Sequence, residues 1–109
     1  MNFRIELSNN FRRQFKKLQK KYPSLKIDIA KLGTELRENP HKGTPLGKNC
    51  FKVRLSITSK GKGKSGGARV ITYVQIIDET IYLLTIYDKS EKENLIEGEI
   101  DTLLDEILD

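Results

Sequence analysis

"FKVRLSITSKGKGKSGGARVITYVQ", residues 51–75, decides the fold of this chain. Phe51, Val53, Leu55 and Ile57 alternate with Lys52, Arg54, Ser56 and Thr58. A period of two marks a strand with one face buried. From Val70 the chain is again β-branched and aromatic, which predicts a second strand. Between them, Gly63-Lys64-Ser65 imitates the end of a phosphate-cradling loop. Such a loop needs a glycine five residues before that lysine-preceding glycine and a helix after the serine. Position 58 is Thr58 and a strand follows, so no helix N-terminus is there to hold a phosphate. The segment therefore reads as a hairpin connection. It is either a soluble linker or a basic arm whose Lys60, Lys62 and Lys64 make salt-sensitive, sequence-independent contacts with a phosphate backbone.

Working outward, Val70–Ile77 and Ile81–Tyr87 are strands joined by a tight turn at Asp78-Glu79-Thr80. Near the N-terminus Phe3, Ile5 and Leu7 alternate with Arg4 and Glu6, another strand. Ser8-Asn9-Asn10 then offers capping side chains to a helix with Phe11, Phe15, Leu18 and Tyr22 on one face. Its other face is basic, with Arg12, Arg13, Lys16, Lys17, Lys20 and Lys21, and serves either as a solvated surface or as a docking one. After Pro23, the apolar positions Leu25, Ile29, Leu32 and Leu36 predict a second helix ending before Pro40. "NPHKGTPLG", residues 39–47, reads as a loop. Ser90 to Glu93 has the form of a capping box, opening a last helix from Glu91 to Leu108 with Ile96, Ile100, Leu103 and Ile107 on one stripe.

The order is β-α-α-β-β-β-α over a single domain, residues 1–109. It predicts an α+β fold: an antiparallel sheet with its helices packed on one face.

Charge is unevenly spread along the chain. Residues 90–109 hold eight acids and one lysine, so the net +5 conceals a strongly basic body. Such a body attracts polyanions, nucleic acid first among them. No run of apolar residues is long enough to span a membrane, and the first residues lack the pattern of a signal peptide. Lone Cys50 reads as a small buried hydrophobe at a strand start, consistent with a cytoplasmic protein.

Lys52 and Arg54 project to the same side of their strand, and Arg69 lies beside them if the two strands pair. Lys89 ends the last strand. Four converging cations call for an anion between them. Element order, "LRENPHKGTPL" followed by "FKVRL", "GKSGGARVI" and "LLTIYDKSEKENL" together resemble the RelE/ParE superfamily of bacterial toxins, in particular its HigB/RelE-like members. The resemblance spans nearly the whole chain. It implies a small microbial-RNase-like fold and a toxin of a type II toxin-antitoxin system, with a cognate antitoxin as partner. It further implies that the toxin cuts messenger RNA on the ribosome, without metal or cofactor, through attack of a ribose 2′-hydroxyl. By position it also implies roles for Lys52, Arg54 and Arg69, and for Tyr87, Lys89 and Glu91 in a Tyr-x-Lys-x-Glu segment.

The residues suit that chemistry in their own right. In-line cleavage needs a base, cations on the phosphorane and an acid for the leaving oxygen. A lysine with its pKa lowered by neighbouring cations can act as the base, Lys52 first and Lys89 second. Arg54 and Arg69 suit the phosphate. His41, the single histidine, is a minor acid–base candidate. The family commonly carries a tyrosine in the last helix, yet residues 90–109 contain none, which leaves Tyr87 as the substitute or as a core aromatic. Two other functions stay open: a ParE-like gyrase poison acting by protein contact, and a non-catalytic RNA-binding domain.

Overall fold

The computed structural model describes residues 3–61, 63 and 66–108. Strand β1 (Arg4–Leu7) leads through Ser8 into helix α1 (Asn9–Lys21). The Ser8 hydroxyl accepts from the Phe11 amide at 3.0 Å, as an N-cap does. Helix α2 (Leu25–Glu38) follows after the turn at Pro23, and strands β2 (Thr44–Gly47), β3 (Cys50–Leu55), β4 (Ala68–Gln75) and β5 (Thr80–Asp88) complete one sheet before helix α3 (Glu99–Leu108). The sheet order is β1-β5-β4-β3-β2. The hairpin that positions the cations is in register, with Arg54 opposite Arg69 and Lys52 opposite Ile71.

The α+β architecture is as the sequence predicts, with four differences of detail. First, β1 pairs with β5 in parallel, so the sheet is mixed rather than wholly antiparallel. Second, part of the predicted loop is β2, which pairs with the start of β3. Lys48 and Asn49 make the tight connection with φ of 56° and 62°, the two positive angles a two-residue hairpin demands. Lys-Asn in place of Asn-Gly hides that turn.

Third, the helices do not share one face. Phe11 and Leu18 of α1 and Leu25, Leu32 and Leu36 of α2 pack with Val53, Leu55, Val70 and Leu83. Leu103 and Leu104 of α3 pack with Cys50, Ile71, Leu84 and Tyr87, which point the other way. The sheet is thus a central layer between α1–α2 and α3. Fourth, α3 begins at Glu99, not Glu91. The Ser90 amide and hydroxyl both donate to the Asp88 carboxylate, at 2.9 and 2.8 Å, which folds this stretch into a turn instead of a helix cap. The helix forms only after Gly98, which has φ of 83°, and its first turn carries Glu99 and Asp101, favourable at a helix N-terminus.

A bulge in β5 has the largest consequence. Ile71 pairs with Thr85 and Thr72 with Leu83, so Leu84 is an extra residue. Its carbonyl accepts from the Ser8 hydroxyl at 2.9 Å and the Asn10 amide side chain at 3.1 Å. The extra residue reverses the alternation. Ile81 and Leu83 face α1 and α2, whereas Tyr87 turns to the α3 side.

Candidate functional site

The face of the sheet beneath α3 is only partly covered. At its end near the β3–β4 connection, Lys52 and Arg54 of β3, Arg69 of β4 and Lys89 just after β5 line one cleft of about 230 Å³, joined by Thr44, Glu93 and Asn94. Each cation is placed by backbone. Lys52 and Arg54 stand two apart on β3; Arg69 is the cross-strand partner of Arg54; the Lys89 amide donates to the Gly67 carbonyl at 3.1 Å. Gly67 passes so close to β3 that a Cβ there would collide with the Leu55 carbonyl. Only glycine lets the two strands close on this side.

Arg69 differs from its neighbours by being buried, 5% exposed. Burial pushes its guanidinium below the usual arginine range, and the facing charge of Arg54 pushes the same way, against the pull of Tyr87. One guanidinium nitrogen donates to the Ala68 carbonyl at 3.0 Å, which aligns the side chain along its own strand. Lys52 Nζ donates to Asn94 Oδ1 at 3.2 Å, tying the first strand cation to the segment before α3. The cleft thus combines three strand-borne cations with a carboxylate and an amide on the facing segment. Such an arrangement can grip a phosphodiester and leave acid–base groups beside it.

Other residues singled out in the sequence lie elsewhere. Tyr87 is 8% exposed and packs in the apolar cluster beneath α3, with Lys92 Nζ 5.4 Å from its ring centroid. Burial raises its phenol pKa. It neighbours Arg69 across the strands but does not line the cleft. Glu91 points away as well, to Lys21 at 3.3 Å. His41 packs edge-on against Phe51, a residue of the α1–α2 side.

Lys60 is no free arm. Its ammonium meets the Asp88 carboxylate at 2.6 Å, with side chains 10% and 0% exposed. Asp88 also accepts from the Tyr22 hydroxyl at 2.7 Å. Burial alone would raise the Asp88 pKa, but hydrogen bonds from Lys60, Tyr22 and Ser90 outweigh it and hold the carboxyl well below the usual range. Lys62 and Lys64 lie outside the described residues.

Sequence reasoning missed three cleft residues: Thr44, in the stretch read as a loop, and Glu93 and Asn94, in the stretch read as helix. Gly98 was the available signal for the last two, because a glycine inside a presumed helix argues for a later start. A later start frees residues 91–97 to cross the cleft. Among the described residues, no His, Cys, Asp and Glu gather as metal ligands, and no helix is long and apolar enough to cross a membrane.

The family model for the RelE toxin of the RelE/RelB toxin-antitoxin system matches residues 5–106. Among solved structures, the chain is similar to a mutant of the E. coli toxin RelE in the free state, at 15% identity and a TM-score of 0.66, covering 99% of this chain and 100% of that one. It is also similar to the intact E. coli RelBE toxin-antitoxin complex, at 15% identity and a TM-score of 0.60, covering 79% of this chain and 95% of that one. The isolated E. coli RelE toxin aligns at 14% identity with a TM-score of 0.52, covering 97% of this chain and 99% of that one.

Proposed function

The chain belongs to the RelE toxin family, and from that membership we propose that it is a ribosome-dependent endoribonuclease that cuts messenger RNA and halts translation. A cognate antitoxin restrains it, as the toxin-antitoxin assembly of a structurally similar protein suggests. The supporting observation is the cleft: Lys52, Arg54, Arg69 and Lys89 on one patch, with Glu93 and Asn94 opposite.

The chemistry follows from the groups present. The ribose 2′-oxygen attacks the adjacent phosphorus, the bond from phosphorus to the 5′-oxygen breaks, and the products are a 2′,3′-cyclic phosphate and a free 5′-hydroxyl. Arg54 and Arg69 hold the phosphate and take up the charge that develops on its oxygens. Lys52, oriented by Asn94, accepts the 2′ proton, and Lys89 donates one to the leaving oxygen. Glu93 is the second choice of base, favoured by its place in the cleft. Each proton-transfer group contributes about 10²–10⁴ in rate, and each lost phosphate donor costs about 10²–10³.

The test is purified protein added to translating ribosomes. Cuts at codon-defined positions, with cyclic phosphate and 5′-hydroxyl ends, are the expected result, and Arg69→Lys removes them by replacing a planar fork with a point charge. Inhibited DNA supercoiling without mRNA cuts would replace this function with gyrase poisoning. RNA binding without either activity would leave a non-catalytic RNA-binding domain.

A further inference from the structure

We propose that the open edge of β3 carries a base-reading pocket, which takes a nucleobase flanking the scissile phosphate and prefers one bearing an exocyclic amino group over uracil. The inference deepens the proposed function by assigning a sequence preference to its RNA substrate, and in that respect rests on it.

β2 pairs with β3 only as far as Lys52, which stands opposite Thr44. Val53, Arg54 and Leu55 therefore have β4 on one side and, among the described residues, no strand on the other. Two cavities follow this edge away from the cleft. The first, of about 230 Å³, is lined by Lys42, Thr44, Lys52 and Arg54. The second, of about 270 Å³, lies between the edge and α2. There Leu32 and Leu55 supply apolar surface, and Lys31, Glu35 and Arg54 supply charged groups. Arg54 lines both cavities and the cleft. An RNA strand whose scissile phosphate sits in the cleft thus meets cations for its next phosphate and, beyond them, a pocket for a base. The Arg54 guanidinium, exposed and planar, can stack on that base.

The two acids of the pocket are not equivalent. Asp28 is fully engaged: its oxygens accept from the Ser24 hydroxyl at 2.8 Å, the Thr58 hydroxyl at 2.6 Å and the Thr58 amide at 3.0 Å. That network pins Thr58 to α2 and holds the wall of the pocket in place. Glu35 is different. Its side chain is 52% exposed, and Lys42 meets one of its oxygens at 3.6 Å, an ion pair too long for a hydrogen bond. The carboxylate is left to accept from a ligand. Lys31, one helical turn earlier, lines the same pocket and can donate to the ligand's other polar atoms.

A carboxylate sorts bases by their edges. Cytosine, adenine and guanine each carry an amino group that donates to it. Uracil offers one N–H between two carbonyl oxygens, which the carboxylate repels. A peptide strand is the other occupant that an open edge invites. Only Val53, Arg54 and Leu55 are open here, and a single pocket with charges of both signs adjoins them rather than a row of alternating pockets. One base fits that better than a strand.

The experiment measures binding of short fluorescein-labelled RNA oligonucleotides to the full chain, with a 2′-O-methyl group on the central ribose to block attack. The bases flanking that ribose are changed in turn from uracil to cytosine, to adenine, or to purine, which lacks the amino group of adenine. At one flanking position, cytosine and adenine should bind at least about tenfold tighter than uracil and purine, the size of one hydrogen bond to a charged group. Glu35→Gln should let uracil bind as well as cytosine, because an amide can donate to the carbonyl that a carboxylate repels. Its Tm should match that of the unaltered protein, since an exposed ion pair adds little to folding. On ribosomes, Glu35→Gln should add cuts at codons carrying uracil at that position. Equal binding of these bases, or an unchanged preference in Glu35→Gln, would overturn the inference. So would an unchanged preference combined with lost binding to the antitoxin, which would assign the edge to a peptide strand. A base preference that depends on Glu35 in a protein that cuts no mRNA would uphold the pocket and overturn the proposed activity.

Discussion

Asp88→Asn tests the buried node that closes the cleft end of the sheet. The Asp88 carboxylate is 0% exposed and lies 2.6 Å from Lys60 Nζ, itself only 10% exposed. At an effective dielectric near 20, that separation gives an attraction of about 6 kcal/mol. Desolvation of both ions offsets part of it, yet removing one partner leaves the other charge buried and unpaired, which typically costs about 3–5 kcal/mol. Asparagine keeps one acceptor oxygen, enough for Ser90, while its amide nitrogen stands where the other oxygen accepted from Tyr22. That bond persists only with the Tyr22 hydroxyl turned to accept, and the loss is chiefly that of the charge. Against a total stability of about 5–15 kcal/mol the effect is large, equivalent to about 12–20 °C in Tm at roughly 4 °C per kcal/mol. The pH dependence provides a second readout. A depressed folded-state pKa means that the unfolded chain binds the proton more readily, so the stabilisation is complete above the ordinary carboxylate range near pH 4 and is lost as pH falls towards the folded-state value. Asp28 is also held low: burial raises its pKa, but hydrogen bonds from Thr58 and Ser24 outweigh it. Asp88→Asn should therefore flatten the acid limb without abolishing it. The assay is urea unfolding followed by circular dichroism from pH 3 to 7. A loss below about 1 kcal/mol with an unchanged acid slope would refute the reasoning, since an intact buried pair cannot cost so little to break.

Further outcomes follow from the cleft and the two cores. Lys52→Ala and Arg54→Ala should each lower single-turnover cleavage at least tenfold while shifting Tm little, as exposed or half-exposed charges add little to folding. Arg69→Ala should lower activity and also disturb unfolding, because that side chain is buried. Glu93→Gln should lower the rate and alter its pH profile, whereas Glu91→Gln, whose side chain points to Lys21, should leave cleavage unchanged; equal effects of the two would remove Glu93 from the cleft chemistry. Leu104→Ala should cost about 2–5 kcal/mol by opening a cavity under α3, read from the urea midpoint. Cys50, whose thiol burial pushes up to about 11, should resist alkylation at pH 8 in the native protein and react once α3 is loosened.

Local chemistry makes much of this molecule legible in its sequence. Alternation finds β1, β3, β4 and β5; the Ser8 cap and the apolar spacing find α1; the Leu25–Leu36 stripe finds α2. Because strand side chains alternate, Lys52 and Arg54 have to share a side, and a hairpin has to bring Arg69 near them. Those are short-range rules, and the fold obeys them. What they cannot decide depends on partners distant in the chain. The β5 bulge at Leu84 is held by Ser8 and Asn10, more than seventy residues earlier, and it alone turns Tyr87 towards α3 and out of the α1–α2 core. Lys60 reads as part of a basic arm, but Asp88 and Tyr22 bury it. Ser90 reads as a helix cap, but Asp88 takes both of its donors, delaying α3 to Glu99 and leaving Glu93 and Asn94 across the cleft. Periodicity states which residues share a face. Which face each helix covers, and which charge is paired, is set by the free energy of long-range contacts that no window of neighbouring residues contains.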